Sequence, residues 1–239
     1  MHQLTDEKIR KRKDIASLVL HILILLMTIL AVIMRFAGLR FFKPTAAASD
    51  YTALRYFTVE SNILIGFISI ICIVYDLLRL LKKIEERPKW LDITEFVGAS
   101  CLALTMVTIL LILGPGVAIK DGNIDSFFNL YRNHNLFFHF LTPVASIAAF
   151  LLNADKRLDY KLILIALIPA IAYEIFYAST AISHMDANGK VPFAYDWYGF
   201  MQGGLWLGIV AVIVMAGLMA LLSFLLLFFY RKIAKPREA

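Results

Sequence analysis

The sequence predicts an all-α membrane protein, a single bundle of six transmembrane helices. Hydrophobic residues make up 60% of the 239 residues and the mean hydropathy is +0.74, whereas a soluble domain is roughly 45–50% apolar. Six apolar runs are each long enough to cross a hydrocarbon layer about 30 Å thick. These spans and their short connections occupy the whole length, so residues 1–239 are expected to form one domain.

The first span follows a basic segment, Lys8 to Lys13, which looks like the charged start of a secretory signal peptide. Its apolar run, from about Ile15 to Met34, is too long for the hydrophobic part of a signal peptide. Basic residues also separate this run from the small-residue site at 46–48. We therefore expect an uncleaved helix that crosses the membrane.

The other spans are bounded by polar or turn-forming residues. The third is expected to end at Gly114-Pro115-Gly116, because proline lacks a backbone donor and glycine adds flexibility. The connection after the fifth span, 184–202, is rich in aromatic residues. These indicate an interfacial belt, with a substrate mouth as the alternative. The spans are predicted at about residues 15–34, 57–81, 95–117, 134–153, 160–183 and 203–230.

The positive charges predict the orientation. Both terminal segments and the connections after the second and fourth spans together hold 17 of the 24 Lys and Arg residues. Such residues concentrate on the cytoplasmic side of membrane proteins, so both termini are expected in the cytoplasm. The same distribution explains the net charge of +6 without a nucleic-acid partner, and none is expected.

No short motif indicates a metal or a cofactor. The two cysteines, Cys72 and Cys101, lie inside apolar runs and are interpreted as small buried hydrophobes. The sequence has no His-Glu-x-x-His motif, no cysteine cluster and no glycine-rich phosphate loop. The sequence therefore predicts no metal site and no cofactor.

The second span begins with an unusual concentration of polar residues. Thr58, Ser61 and Asn62 are spaced i, i+3 and i+4, so they share one face of a helix, while Glu60 points elsewhere. An unsatisfied polar group in hydrocarbon costs several kcal/mol. This face is therefore expected either to pack against other helices or to carry out chemistry.

Two further spans place polar residues at a similar depth. Asn135, His139, Thr142 and Ser146 form a stripe along the fourth span, and the fifth carries Glu174 and Tyr177 in its outer half. Each hydroxyl or imidazole alone is also explained by helix packing. An ionisable group inside a span, such as Glu174, is by default a functional hypothesis.

A hydroxyl and an imidazole are the minimum for nucleophilic acyl transfer, since the imidazole takes the hydroxyl proton during attack. Asn62 and Tyr177 are candidate donors to the oxyanion. Two other interpretations remain open. A proton-coupled or small-solute transporter would use Glu174 and His139 to carry protons, and a non-catalytic lipid-binding protein would use the polar layer only to fix helix register.

Two motifs resemble those of a known family. The stretch Phe57-Thr58-Val59-Glu60-Ser61-Asn62 is similar to the Phe-Thr-x-x-Ser-Asn signature of bacterial six-span membrane proteins, and His139 to Pro143 resembles their His-x-x-x-Pro signature. These proteins look like relatives of the animal androgen-induced and androgen-dependent coagulation-regulating proteins.

The animal members are intramembrane threonine hydrolases that cleave fatty-acid esters of hydroxy fatty acids. The resemblance implies Thr58 as the nucleophile and His139 as the base, with membrane lipid and a lipid-like ester as partners. It also implies a bacterial cytoplasmic membrane. The chain has Phe138 and Phe140 where the animal proteins have polar residues beside the histidine, and Ser61 stays open as an alternative nucleophile. Asn62, Asn135, Thr142, Glu174 and Tyr177 are expected to position groups or contact substrate.

Overall fold

A computed structural model describes residues 2–41, 51–154 and 158–234. Within these ranges every regular element is helical, which confirms the predicted fold class. Six helices are long and apolar enough to cross a membrane. The small-residue site at 46–48 lies outside the described residues. The helices are α1 (His2–Phe36), α2 (Phe57–Leu80), α3 (Lys89–Asp121), a short α4 (Ile124–Asn129), α5 (His134–Leu152), α6 (Leu162–Ser183) and α7 (Leu205–Ile233).

The bundle has two distinct ends. Residues 37–41 and 51–56 of the first connection meet the connections 122–133 and 184–204 at one end, which we call the loop side. There the Phe41 amide donates to Asn133 Oδ1 at 2.7 Å, and the Arg55 guanidinium donates to the Ala194 carbonyl. The opposite end, which we call the terminal side, carries the start of α1, the end of α7, the connection 81–88, and residues 153–154 and 158–161 of the connection after α5.

The third span, α3, is the central helix. It packs against α2, α5, α6 and α7, whereas α1 packs against α2 and α5. Aromatic side chains and alanines fill the space between α3, α5, α6 and α7, where the rings of Phe96 and Phe150 lie 5.6 Å apart. Tyr230 stacks on Phe150 at 4.6 Å. The outer faces of α6 and α7 are apolar and exposed, as expected for helices that face lipid.

The expected end of the third span at Gly114-Pro115-Gly116 is wrong. The helix continues to Asp121 and ends at Gly122, which adopts a left-handed conformation with φ 62°. A π-helical turn, Ile109–Leu113, precedes the proline. This wider turn accommodates the missing donor and the crowding of the proline ring against the preceding turn.

A second π-helical turn, Phe137–Leu141, lies in α5 just before Pro143. It contains His139, the residue four positions before the proline. The other differences are at helix ends. Helix α1 starts at His2, because its lysines and arginines are good helix formers beyond the apolar run. Helix α3 starts at Lys89, directly after Pro88.

Candidate functional site

A narrow cavity lies between α2, α3, α6 and α7 in the half of the bundle nearer the loop side. Its volume is about 50 Å³, enough for a few waters at about 10–15 Å³ each. Three predicted site residues line it: Thr58, Glu174 and Tyr177. Most of the remaining lining is aliphatic or aromatic, with Thr105 and Thr108 adding hydroxyls from α3. The cavity is therefore an apolar space with a few polar groups.

The two candidate nucleophiles on α2 differ in their surroundings. Ser61 is buried, and its hydroxyl donates to the Thr58 carbonyl at 3.2 Å and lies 3.4 Å from Thr105 Oγ1. Thr58 is half-buried and lines the cavity. Its hydroxyl has no hydrogen bond to any described residue. These positions favour Thr58 over Ser61 as a group that could meet a ligand.

Asn62 joins α2 to α5. Its side-chain amide donates to the Thr58 carbonyl at 2.7 Å and to the Phe138 carbonyl at 3.1 Å. Phe138 directly precedes His139 on α5, so the polar face of α2 and His139 lie at a similar depth in the bundle. Both amide hydrogens are used in these bonds, which makes Asn62 a positioning residue in this state rather than a free donor to an oxyanion.

His139 is buried, and its tautomer follows from its partner. Nδ1 lies 2.5 Å from the Leu130 carbonyl oxygen, and a carbonyl can only accept, so Nδ1 carries a hydrogen. Nε2 has no hydrogen-bond partner in the described part of the chain, which leaves it free to act as a base. His139 is not among the residues that line the cavity, and no hydrogen bond joins it to Thr58.

The remaining predicted residues lie around this layer. Thr142 and Ser146 are buried on α5, and their hydroxyls have no partner among the described residues. Asn135 is half-buried on the first turn of α5. The Tyr177 hydroxyl donates to Asp196 Oδ1 in the connection before α7, so it too is committed within the protein.

Asp196 was not predicted from the sequence. It is fully buried, and it accepts hydrogen bonds from the Met201 amide at 3.1 Å and from the Gln202 side chain at 2.7 Å. Together with the bond from Tyr177, these hydrogen bonds to Asp196 hold the aromatic connection 184–204 over the end of the cavity. A carboxylate inside an aromatic segment was the only sequence signal of this role.

The aromatic connection also contributes to the cavity wall. Tyr198 lines the cavity, and its hydroxyl oxygen accepts from the Phe57 amide at the start of α2 at 3.1 Å. Burial raises the pKa of Tyr198 well above its usual range, so the hydroxyl stays protonated. The connection is thus more than a belt at the membrane surface, since it closes one end of the site.

A second polar cluster lies on the terminal side, and sequence reasoning missed it. His21 on α1 lies between two carboxylates, with Nδ1 at 2.8 Å from Asp76 Oδ2 on α2 and Nε2 at 3.1 Å from Glu95 Oε1 on α3. All three side chains are buried. Ser17 donates to Asp76 Oδ2 at 2.7 Å, and the Asn153 amide donates to Ser17 at 3.0 Å. This cluster, with Cys72 and Arg87, is called the terminal-side cluster below.

Arg87 closes the cluster from the connection between α2 and α3. Its Nη2 donates to Glu95 Oε2 at 2.6 Å and to Cys72 Sγ at 3.2 Å, and its Nε lies 3.5 Å from Asp92 Oδ1. Burial lowers the pKa of Arg87, but Glu95, Cys72, Asp76 and Asp92 together outweigh this effect and raise it, so the guanidinium stays charged. A separate buried pair, Asp14 and Arg79, lies nearby at 2.8 Å.

The helical spacing held a signal that could have revealed this cluster. Asp14, Ser17 and His21 are spaced i, i+3 and i+7 on α1, and they share one buried face. From the sequence, the charges at 79–89 indicate only the orientation of the protein in the membrane.

Cys72 and Cys101 are both free and buried, as expected, but Cys72 contacts polar groups. His21, Cys72 and Glu95 offer ligand atoms that lie within 4.8 Å of one another.

No family model, curated protein or solved structure matches the chain.

Proposed function

We propose that this integral membrane protein is a hydrolase of lipid-like esters, with Thr58 as nucleophile and His139 as general base. One observation carries the proposal. Thr58 lines an apolar cavity and its hydroxyl makes no bond to a described residue, while Asn62 ties its helix to the residue before His139. A hydroxyl and an imidazole with a free Nε2 are the groups that acyl transfer needs.

The cavity suits the reacting group of a lipid-like ester, such as a fatty-acid ester of a hydroxy fatty acid. A volume of about 50 Å³ holds an ester group with a water molecule, but not two long chains. The chains would therefore extend between α6 and α7 toward lipid, along the apolar faces of these helices. Glu174 and Tyr177 contact the bound group from α6.

The reaction has two steps. Thr58 Oγ1 attacks the ester carbonyl and transfers its proton to His139 Nε2, and the tetrahedral intermediate then releases the alcohol, which takes that proton. Water next attacks the acyl-threonine with the same base and releases the carboxylic acid. Each step requires Nε2 to come within about 3 Å of the reacting oxygen when substrate is bound. The π-helical turn around His139 is the segment that would move.

The proposal includes an orientation. We place the terminal side in the cytoplasm of a bacterial cell, because the basic residues concentrate there. The cavity then lies in the outer half of the membrane. A thiol probe that cannot cross membranes should label a cysteine introduced at Asn188 from outside intact cells. Labelling of Asn188→Cys only after the cells are opened would reverse this orientation.

A fluorophosphonate probe tests the catalytic proposal, because it reacts covalently with an activated hydroxyl. Purified wild-type protein should be labelled, and Thr58→Ala and His139→Ala should abolish labelling. Thr108→Ala is the matched control, since it removes a hydroxyl from the same cavity and should leave labelling intact. Thermal unfolding checks that each variant is folded.

Two outcomes would change the assignment. Undiminished labelling of folded Thr58→Ala would exclude Thr58 as the nucleophile. Labelling that survives in His139→Ala but is lost in Glu174→Gln would transfer the role of base to Glu174, which lines the same cavity as Thr58.

A proton-coupled carrier is the second candidate, and Glu174 is the observation that favours it. This carboxyl group is half-buried in a membrane-spanning helix and lines a cavity with several hydroxyls. Proteoliposomes should then take up solute when a proton gradient is imposed. Uptake should be lost in Glu174→Gln and retained in Glu174→Asp, and the fluorophosphonate probe should label neither the wild type nor the variants.

A further inference from the structure

We infer that the terminal-side cluster is a structural metal site for a zinc-type divalent cation, with His21, Cys72 and Glu95 as ligands. The three residues come from α1, α2 and α3, so the ion would clamp these helices together. Their ligand atoms all lie within 4.8 Å of one another. The inference concerns the opposite end of the bundle from the proposed active site and does not depend on it.

The spacing of the ligand atoms fits a shared ion. His21 Nε2 and Glu95 Oε1 are 3.1 Å apart, a distance at which the two atoms share either a proton or a cation. With zinc–nitrogen and zinc–oxygen distances of about 2.0–2.2 Å, neighbouring ligands of a tetrahedral site lie about 3.3–3.6 Å apart. The observed distance is therefore close to that of two ligands on one ion.

The surrounding hydrogen bonds match those of a metal-bound histidine. His21 Nδ1 lies 2.8 Å from Asp76 Oδ2, which also accepts from Ser17 at 2.7 Å. This arrangement fixes the ring, as in carboxylate–histidine–zinc sites, and directs Nε2 toward Glu95. Asp76 Oδ1 is buried and has no hydrogen-bond partner in the described ranges. The fourth position belongs to this oxygen or to a water molecule.

Arg87 supports the cysteine as a ligand. Its Nη2 donates to Cys72 Sγ at 3.2 Å and to Glu95 Oε2 at 2.6 Å. A thiolate accepts such a bond far better than a neutral thiol. One divalent cation would replace the imidazole Nε2 proton and the thiol proton. Two protons are then released, and the total charge of the buried cluster does not change.

The donor atoms identify the class of ion. One nitrogen, one sulfur and one carboxylate oxygen suit zinc and its substitute cobalt, whereas magnesium and calcium prefer oxygen alone. His21, Cys72 and Glu95 are each at most 1% exposed. A site so closed to solvent holds an ion for stability rather than for catalysis.

Metal analysis and cobalt substitution test this inference. Tag-free purified protein should contain about one equivalent of zinc, and after chelation its melting temperature should fall and be restored by Zn²⁺ but not by Mg²⁺. Co²⁺ added to the apoprotein should give the visible absorption of tetrahedral cobalt and a near-ultraviolet thiolate-to-cobalt band. Binding of Co²⁺ should release two protons.

Matched variants assign the ligands. Cys72→Ser should lose the thiolate band, whereas Cys101→Ser, which alters the other buried cysteine, should keep it. Asp76→Asn should weaken Co²⁺ binding about 10–100-fold by disturbing the histidine partner. The inference is overturned if apoprotein that remains folded binds neither Zn²⁺ nor Co²⁺, or if folded Cys72→Ser retains the thiolate band. His21 would then be an imidazolium held between two carboxylates.

Discussion

Replacing Arg87 with alanine should destabilise the bundle more than any substitution in the same connection. Arg87 is 4% exposed and is the partner of Glu95, Cys72 and Asp92. Alanine would remove the charge and leave at least one buried carboxylate without its cation. Breaking a buried ion pair in this way costs about 3–5 kcal/mol.

This magnitude is large compared with the expected total. Folded proteins are stable by only about 5–15 kcal/mol, so Arg87→Ala should remove about a fifth or more of the free energy of unfolding. Arg87→Lys should recover only part of the loss, because a single ammonium group cannot reproduce the fork of a guanidinium. Lys83→Ala is the matched control, since Lys83 is exposed in the same connection and should change stability by about 0.5 kcal/mol or less.

The assay is denaturant unfolding of the purified protein in mixed micelles, followed by helical circular dichroism. A double variant, Arg87→Met with Glu95→Leu, separates charge burial from packing, because it removes both members of the pair. It should be more stable than Arg87→Ala alone. The reasoning fails if Arg87→Ala costs no more than Lys83→Ala, since the cluster would then not depend on its buried cation.

Three further substitutions test separate parts of the structure by the same unfolding assay or by hydrogen exchange. Asn62→Ala should cost about 1–2 kcal/mol, because it removes the amide that joins α2 to the Phe138 carbonyl; an unchanged stability would contradict this link. Lys82 lies where α2 ends and has φ 56°, in the left-handed region that favours glycine. Lys82→Gly should therefore raise the free energy of unfolding by up to about 1 kcal/mol, whereas Lys83→Gly should not. Tyr177→Phe removes the hydrogen bond from the Tyr177 hydroxyl to Asp196 and should increase hydrogen exchange in the connection 184–204. Exchange rates equal to those of the wild type would argue against a role of this bond in closing the cavity.

The sequence predicts the spans well because hydropathy is a local and additive property. Each run of about 20 apolar residues is sufficient evidence for a helix, whatever its neighbours are. The end predicted at Gly114-Pro115-Gly116 is wrong because the five-residue π turn Ile109–Leu113 accommodates the proline inside the helix, and no local pattern indicates such a turn. The spacing of Thr58 and Asn62 predicts one shared helix face because helical periodicity is also local, and in the structure the Asn62 amide donates to the Thr58 carbonyl.

The terminal-side cluster required knowledge that the sequence does not contain. His21 and Glu95 are separated by 74 positions, and their meeting depends on which helices are neighbours. Each charge also stands near the end of an apolar run, where topology alone explains it. Only the packing of α1, α2 and α3 distinguishes a buried cluster from a set of interfacial charges.

The two polar layers differ in the charge of the groups that join their helices, and this difference indicates where the protein moves. On the terminal side, ion pairs and hydrogen bonds connect charged groups from three helices. On the loop side, Thr142 Oγ1, Ser146 Oγ and Asn62 Oδ1 are buried without a partner in the described residues. Unpaired buried groups are costly, so a change that satisfies them is favourable. Both π turns lie in this half, where helix geometry is already irregular. A shift that brings His139 to Thr58 is therefore expected around Phe137–Leu141, while the terminal side holds the helices fixed.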